Sequence, residues 1–178
     1  TMEKLTGRKV KKKLRDILIQ ENWKEEGSYL VLQPGVPALE ALFANLYSTN
    51  NFIKWRSVTL LGILAEKIFS EDKEKVRIIM RRCIWMLTEE SGGIAWGIPE
   101  AMGETAARIP EMADEYTHLI CAYAHEVEGP DNFLEHEPLR KGVIWALMRI
   151  SQTRPDLIKK HRQVLLQRMR DEDSPEIK

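Results

Sequence analysis

The segment Trp55-Arg56-Ser57-Val58-Thr59-Leu60-Leu61-Gly62-Ile63-Leu64-Ala65 superimposes on Trp96-Gly97-Ile98-Pro99-Glu100-Ala101-Met102-Gly103-Glu104-Thr105-Ala106 at an offset of 41 residues. Trp55 then matches Trp96, Gly62 matches Gly103 and Ala65 matches Ala106. A third copy, Leu139 to Met148, follows 43 residues after the second; it sets Arg140 opposite Arg56 and Ala146 where the glycines stand. A period of about 40 residues is the length of a helix pair copied along the chain. One such pair cannot bury its apolar face alone, so the copies must stack. Glycine costs roughly 1 kcal/mol relative to alanine inside a helix, so two glycines at one repeat position point to a place where a neighbouring helix comes close.

The spacing of apolar residues agrees with this. They recur at helical intervals nearly everywhere, and no useful length of chain shows the period-two alternation of a half-buried strand. The class is all-α. The run Tyr29-Leu30-Val31-Leu32 reads as an extended linker, being short and close to Pro34. Punctuation predicts about eight helices, near 3–22, 36–48, 52–69, 71–89, 94–109, 111–127, 138–151 and from 155 onward. The first carries Val10, Leu14, Ile17 and Leu18 on one face; Asn50-Asn51 opens the third and Ser70 is the candidate N-cap of the fourth. The expected organisation is a single domain over 1–178: a capping helix and linker at 1–35, about three helix pairs at 36–151, and a capping helix with a charged tail at 152–178.

Arg56 followed by Val58, Leu60, Leu61, Gly62 and Ala65 resembles the second helix of a HEAT or armadillo repeat. The stretch Gly92-Gly93-Ile94-Ala95-Trp96-Gly97-Ile98-Pro99-Glu100-Ala101-Met102-Gly103-Glu104 is also similar to that of small, uncharacterised HEAT-like proteins from anaerobic bacteria. The resemblance implies an α-solenoid of antiparallel helix pairs whose second helices line a concave side. It does not choose a function, because HEAT-like chains include scaffolds, bilin-lyase relatives and DNA-alkylation-repeat glycosylases.

With 27 basic and 27 acidic side chains, the chain carries no net field drawing it to nucleic acid or anionic lipid. Any electrostatic function is local. From Glu89 to Glu137 there are 12 acids and one base, Arg108, whereas from Arg140 to Arg170 there are nine bases against Asp156 alone. Such opposite stretches read either as solvated faces that help packing or as a docking surface for a charged partner. Cys83 and Cys121 are too few and too far apart for a disulfide framework. No apolar run approaches the roughly 20 residues that span a bilayer, and the lysine-rich start is not followed by the apolar core of a secretory signal. The expectation is a cytoplasmic protein without membrane contact.

Glu100 and Glu104 share one helical face, and like charges at this spacing destabilise an isolated helix by a few tenths of a kcal/mol. A cation or basic partner would relieve that; hydration is the plainer alternative. Glu115, His118, Cys121 and His125 raise the question of a metal, but the second Glu-x-x-His of a dimetal carboxylate site is missing. The acids and imidazole of Glu135-His136-Glu137-Pro138 have the chemistry to bind a metal or to do acid-base work beside Glu100; a solvated loop capping the seventh helix is the plainer reading. No phosphate loop, nucleophile elbow or His-Glu-x-x-His motif is present, so no catalytic residue, metal or cofactor is assigned. The basic runs Arg8 to Arg15 and Lys159 to Arg162 suit polar faces of terminal caps. A pI near 6.9 argues against a dedicated duplex binder. The glycosylase resemblance would place Trp55, Trp96, Trp145 and Glu100 at the site. The favoured expectation is a non-catalytic module binding another protein through Trp55, Arg56, Trp96, Glu100, Glu104, Glu137 and Arg140; an enzyme or a small-ligand or metal-binding protein is the alternative.

Overall fold

The computed structural model describes residues 5–88, 96–124, 133–172 and 175. These residues form ten helices and no strand: α1 (Gly7–Leu18), α2 (Trp23–Val31), α3 (Ala38–Asn45), α4 (Asn51–Glu71), α5 (Lys73–Met86), α6 (Ile98–Arg108), α7 (Pro110–Ala122), α8 (Glu137–Ser151), α9 (Pro155–Lys160) and α10 (Arg162–Asp171). The all-helical class is as expected; the count of about eight is not. Tyr29–Leu32 is the first difference. The run expected to be an extended linker lies mostly in α2, because burying Gly27, Leu30 and Val31 outweighs the nearby turn signals. The second is a break at His161, which divides the last expected helix into α9 and α10.

Side-chain caps or first-turn prolines mark six of the ten helix starts among the described residues. Asn50 opens α4 as expected, its Oδ1 accepting from the backbone N–H groups of Phe52 (3.0 Å) and Ile53 (3.3 Å). Asp72, not Ser70, caps α5, accepting from Glu74 N at 3.0 Å, so α4 runs on to Glu71. Proline stands in the first turn of α6, α7, α8 and α9, where its missing N–H leaves no intrahelical bond unmade.

Helices α4, α6 and α8 pack in succession, α6 lying between the other two and also touching α5 and α7. Every residue of α6 from Ile98 to Ala107 is buried. A Cβ added to Gly103 would overlap Cα and Cβ of Ala146 on α8, and one added to Gly62 would lie 2.7 Å from Cγ of Glu104. The three aligned small residues therefore do sit at close approaches, Gly62 toward α6 and Gly103 toward Ala146. At the chain's start, α1 packs on α2, α3 and α4 through Val10, Leu14, Ile17 and Leu18, all buried as their spacing predicts. Among the described residues no helix is long and apolar enough to cross a membrane.

Candidate functional site

The first turns of α4, α6 and α8 supply most of the chemistry that the sequence singles out. On α4 the Asn50 cap places Lys54 and Trp55 just inside the helix. On α6 the turn is pinned by a hydrogen bond from Gly97 N to Leu46 O (3.0 Å), and Pro99 and Glu100 follow. On α8 His136 occupies the N-cap position, ahead of Glu137 and Pro138. Trp96 packs against His136 with ring centroids 5.4 Å apart, joining the α6 and α8 entries. Trp55 and Trp145 meet at 4.9 Å, so α4 and α8 touch each other through tryptophans while both pack on α6.

Glu100 is only 2% exposed. Its Oε2 lies 3.7 Å from Lys54 Nζ, and that ammonium also sits 4.9 Å from the centroid of the Trp55 ring. Its Oε1 has no hydrogen-bond partner and rests against Gly142, where a Cβ would overlap it. Gly142 is thus the residue that makes room for the carboxylate. Burial pushes the Glu100 pKa up to about 7, and the Lys54 charge opposes this only in part.

That shift has a stability consequence with a definite sign. Because the folded state holds the proton more tightly than the unfolded chain, the contribution of Glu100 to stability is fully present below its ordinary value near 4.5 and is lost as the pH rises through about 7. Between pH 5 and 8 the protein should lose about 2–3 kcal/mol relative to Glu100→Gln. Urea unfolding of both proteins across this range measures the difference; parallel pH profiles would show that Glu100 does not titrate there.

One turn further along α6, Glu104 is 5% exposed and fully engaged. It accepts from Arg108 Nε at 2.6 Å and from Arg149 Nε at 2.8 Å, and Arg108 also reaches Glu66 at 2.8 Å. The stripe Glu100–Glu104 thus faces Lys54 from α4 and Arg149 from α8, along with Arg108 of α6 itself. This corrects the expectation that both acids lie at an open docking face. The like-charge strain is relieved within the chain, because three helices converge on that stripe with cations from their own sequences.

The two arginines at matching repeat positions are committed as well. Arg56 donates to the carbonyls of Leu18 (2.7 Å) and Gln20 (3.0 Å) at the end of α1, while Phe52 and Trp23 flank its guanidinium. Arg140 donates to the carbonyls of Leu134 and Glu135 and forms a two-pronged pair with Glu172 at 3.1 and 3.2 Å. Arg56 ties the end of α1 to α4, and Arg140 ties the segment ahead of α8 and the end of α10 to α8. Glu137 stays near the surface, paired with Lys141 at 3.1 Å.

Much of the acidic stretch is balanced in the same way. Lys73 and Arg77 of α5 engage Glu111 and Glu115 of α7, and Arg154 engages Asp114. Arg77 holds the Glu115 carboxyl below its usual range. Cys121 is buried and its thiol is pushed up to about 12 by desolvation, while His118 is exposed. Among the described residues no three His, Cys, Asp or Glu side chains gather as a metal site. Gly92 to Ala95 and His125 lie outside the described residues.

The residue that the sequence reading missed is Lys54. A signal was available: a cation in the first turn of a helix opposes the macrodipole, which favours acids there, and such a placement asks for a compensating anion. Comparison with protein families, with curated proteins and with solved structures found no match.

Proposed function

We propose that this chain is a non-catalytic module of stacked, HEAT-like helix pairs that binds another protein. Support for the stacking comes from the succession α4, α6, α8 and from the small residues facing the next second helix, Gly62 toward α6 and Gly103 toward Ala146. The observation that carries the binding reading is two aromatic contacts of half-buried tryptophans across these helices, Trp96 on His136 at the entries of α6 and α8 and Trp55 on Trp145 between α4 and the middle of α8, with Glu137 next to the first. Tryptophan concentrates binding energy because its large rigid surface excludes water at little entropic cost. In this reading Glu100, Glu104, Arg56 and Arg140 hold the aromatic end in shape, and Trp96 and Glu137 meet the partner.

The test is affinity capture from the native source with the parent protein and with Trp96→Ala/Glu137→Lys, both checked by circular dichroism. A partner retained by the parent and lost by the folded variant is expected; identical partner sets would overturn the reading. A second reading, an enzyme or small-ligand protein, is favoured by one feature, the unpaired Oε1 of Glu100 on a carboxyl that titrates near neutrality. Micromolar, salt-sensitive binding to duplex DNA, or stoichiometric bound metal in the purified protein, would replace the docking module with that alternative.

A further inference from the structure

Helix α8 enters the stack over a carboxyl group. From Glu137 to Lys141 it buries no residue, and Gly142 is the first to be covered. What covers it is Glu100 of α6, whose Oε1 takes the place of the missing side chain and finds no hydrogen-bond donor there. Further along, α8 is held by other means, Trp145 against Trp55 and Ala146 against Gly103. The first two turns of α8 are thus seated on α6 at an unpaired polar atom of a side chain that is 2% exposed.

Such an oxygen is tolerated far better neutral than ionised, because a buried charge without a donor loses its hydration and gains nothing in return. The charges nearby do not make this good. From α4, Lys54 meets Oε2 alone, at 3.7 Å. From α8, Gly142 offers no side chain, and Lys141 is paired with Glu137 at 3.1 Å. On α6 itself, Glu104 is engaged by Arg108 and Arg149. Among the described residues no ionisable group of α5 or α7 acts on the Glu100 carboxyl, so desolvation prevails and raises its pKa to about 7.

We propose that Glu100 is a proton-controlled latch: protonated, it lets the first two turns of α8 close on α6, and ionised, it releases them to reach water, parting Trp96 from His136. Arg140 holds the carbonyls of Leu134 and Glu135, so the segment ahead of α8 moves with those turns. The latch makes partner binding at the Trp96 end pH-dependent, a consequence that rests on the binding function proposed for that end. The opening itself does not depend on it.

Hydrogen–deuterium exchange of the protein alone, followed from pH 5 to 9 and corrected for intrinsic amide rates, reads the opening. A carboxyl held at about 7 when closed and returned to 4.5 when open makes opening about tenfold more favourable between pH 6 and 8. Residues 139–144 should therefore exchange about tenfold faster at pH 8 than at pH 6, and ahead of α4. Glu100→Gln should abolish this dependence. Lys54→Met should move it to higher pH, because the cation that favours ionisation is gone. Protection of 139–144 that does not change with pH, or a change that survives in Glu100→Gln, overturns the proposal. So does a change that only His136→Gln removes, which assigns it to the imidazole, or one shared equally by α4, which is global unfolding. Partner capture is a separate measurement, so the latch and the binding function fail independently.

Discussion

Gly103→Leu is expected to lose about 3 kcal/mol of stability or more, although leucine is the better helix former by nearly 1 kcal/mol. The reason is what stands opposite. A Cβ at Gly103 already overlaps Cα and Cβ of Ala146, so a leucine must drive α6 and α8 apart rather than turn a side chain aside. At Gly62 the nearest atoms are Glu104 Cγ and Arg108 Cδ and Nε, so Gly62→Ala displaces that ion pair; because it meets side chains and no backbone, it should cost less than Gly103→Leu. In a chain of this size each kcal/mol moves the melting midpoint by about 2–4 °C, so Gly103→Leu should melt roughly 10 °C lower. Thermal unfolding followed by circular dichroism measures it. Transferring the methyl group, Gly103→Ala with Ala146→Gly, should recover part of the loss from Gly103→Ala alone. A Gly103→Leu protein as stable as the parent would mean that α6 and α8 are not in contact there.

Charge reversal of Glu104 should be at least as damaging. Read as an exposed acid it would be replaceable within about 0.5 kcal/mol, but it is buried and holds Arg108 and Arg149 together. Removing Glu104 leaves Arg149 without its carboxylate and Arg108 with Glu66 alone. Because both arginines are partly exposed, the loss should lie at the low end for a buried pair, about 3 kcal/mol, while Glu104→Lys adds a third cation to the same space. That variant is expected not to accumulate as folded protein. Glu104→Gln keeps the shape and should remain measurable in urea, several kcal/mol below the parent. The double change Glu104→Gln/Arg149→Met should lose less than the sum of its parts, because the second substitution removes a cation that the first leaves unpaired. By contrast the solvent-exposed Lys67–Glu71 pair should contribute a few tenths of a kcal/mol. A Glu104→Gln protein with parental stability would place the carboxylate at the surface.

The sequence by itself determined the helical class, the starts set by Asn50 and by the first-turn prolines of α7, α8 and α9, and the close approach at Gly103, but not the start of α5, where Asp72 is the cap and Ser70 is not. Those properties follow from neighbours in the chain: an Asn side chain reaching N–H groups two or three residues on, a proline whose missing donor fits a first turn, a glycine kept where propensity argues against it. Where local signals competed with burial, as at Tyr29–Leu32, the sequence reading went the wrong way, since only packing against α1 and α4 decides that α2 forms. The site was legible as a set of residues but not as an arrangement. Trp55 and Trp96 stood out by type and repeat position and Trp145 by type alone, yet which acids are exposed depends on residues 40 or more positions away. Glu104 meets Arg149 and Glu100 meets Lys54 and Gly142 only because α4, α6 and α8 converge, and Arg140 meets Glu172, 32 positions on, because the end of α10 returns to α8. A charge pattern along a chain specifies the number of ions to be neutralised, whereas the tertiary structure decides which partner neutralises each, because electrostatic energy depends on separation in space and on burial, neither of which is encoded at one position.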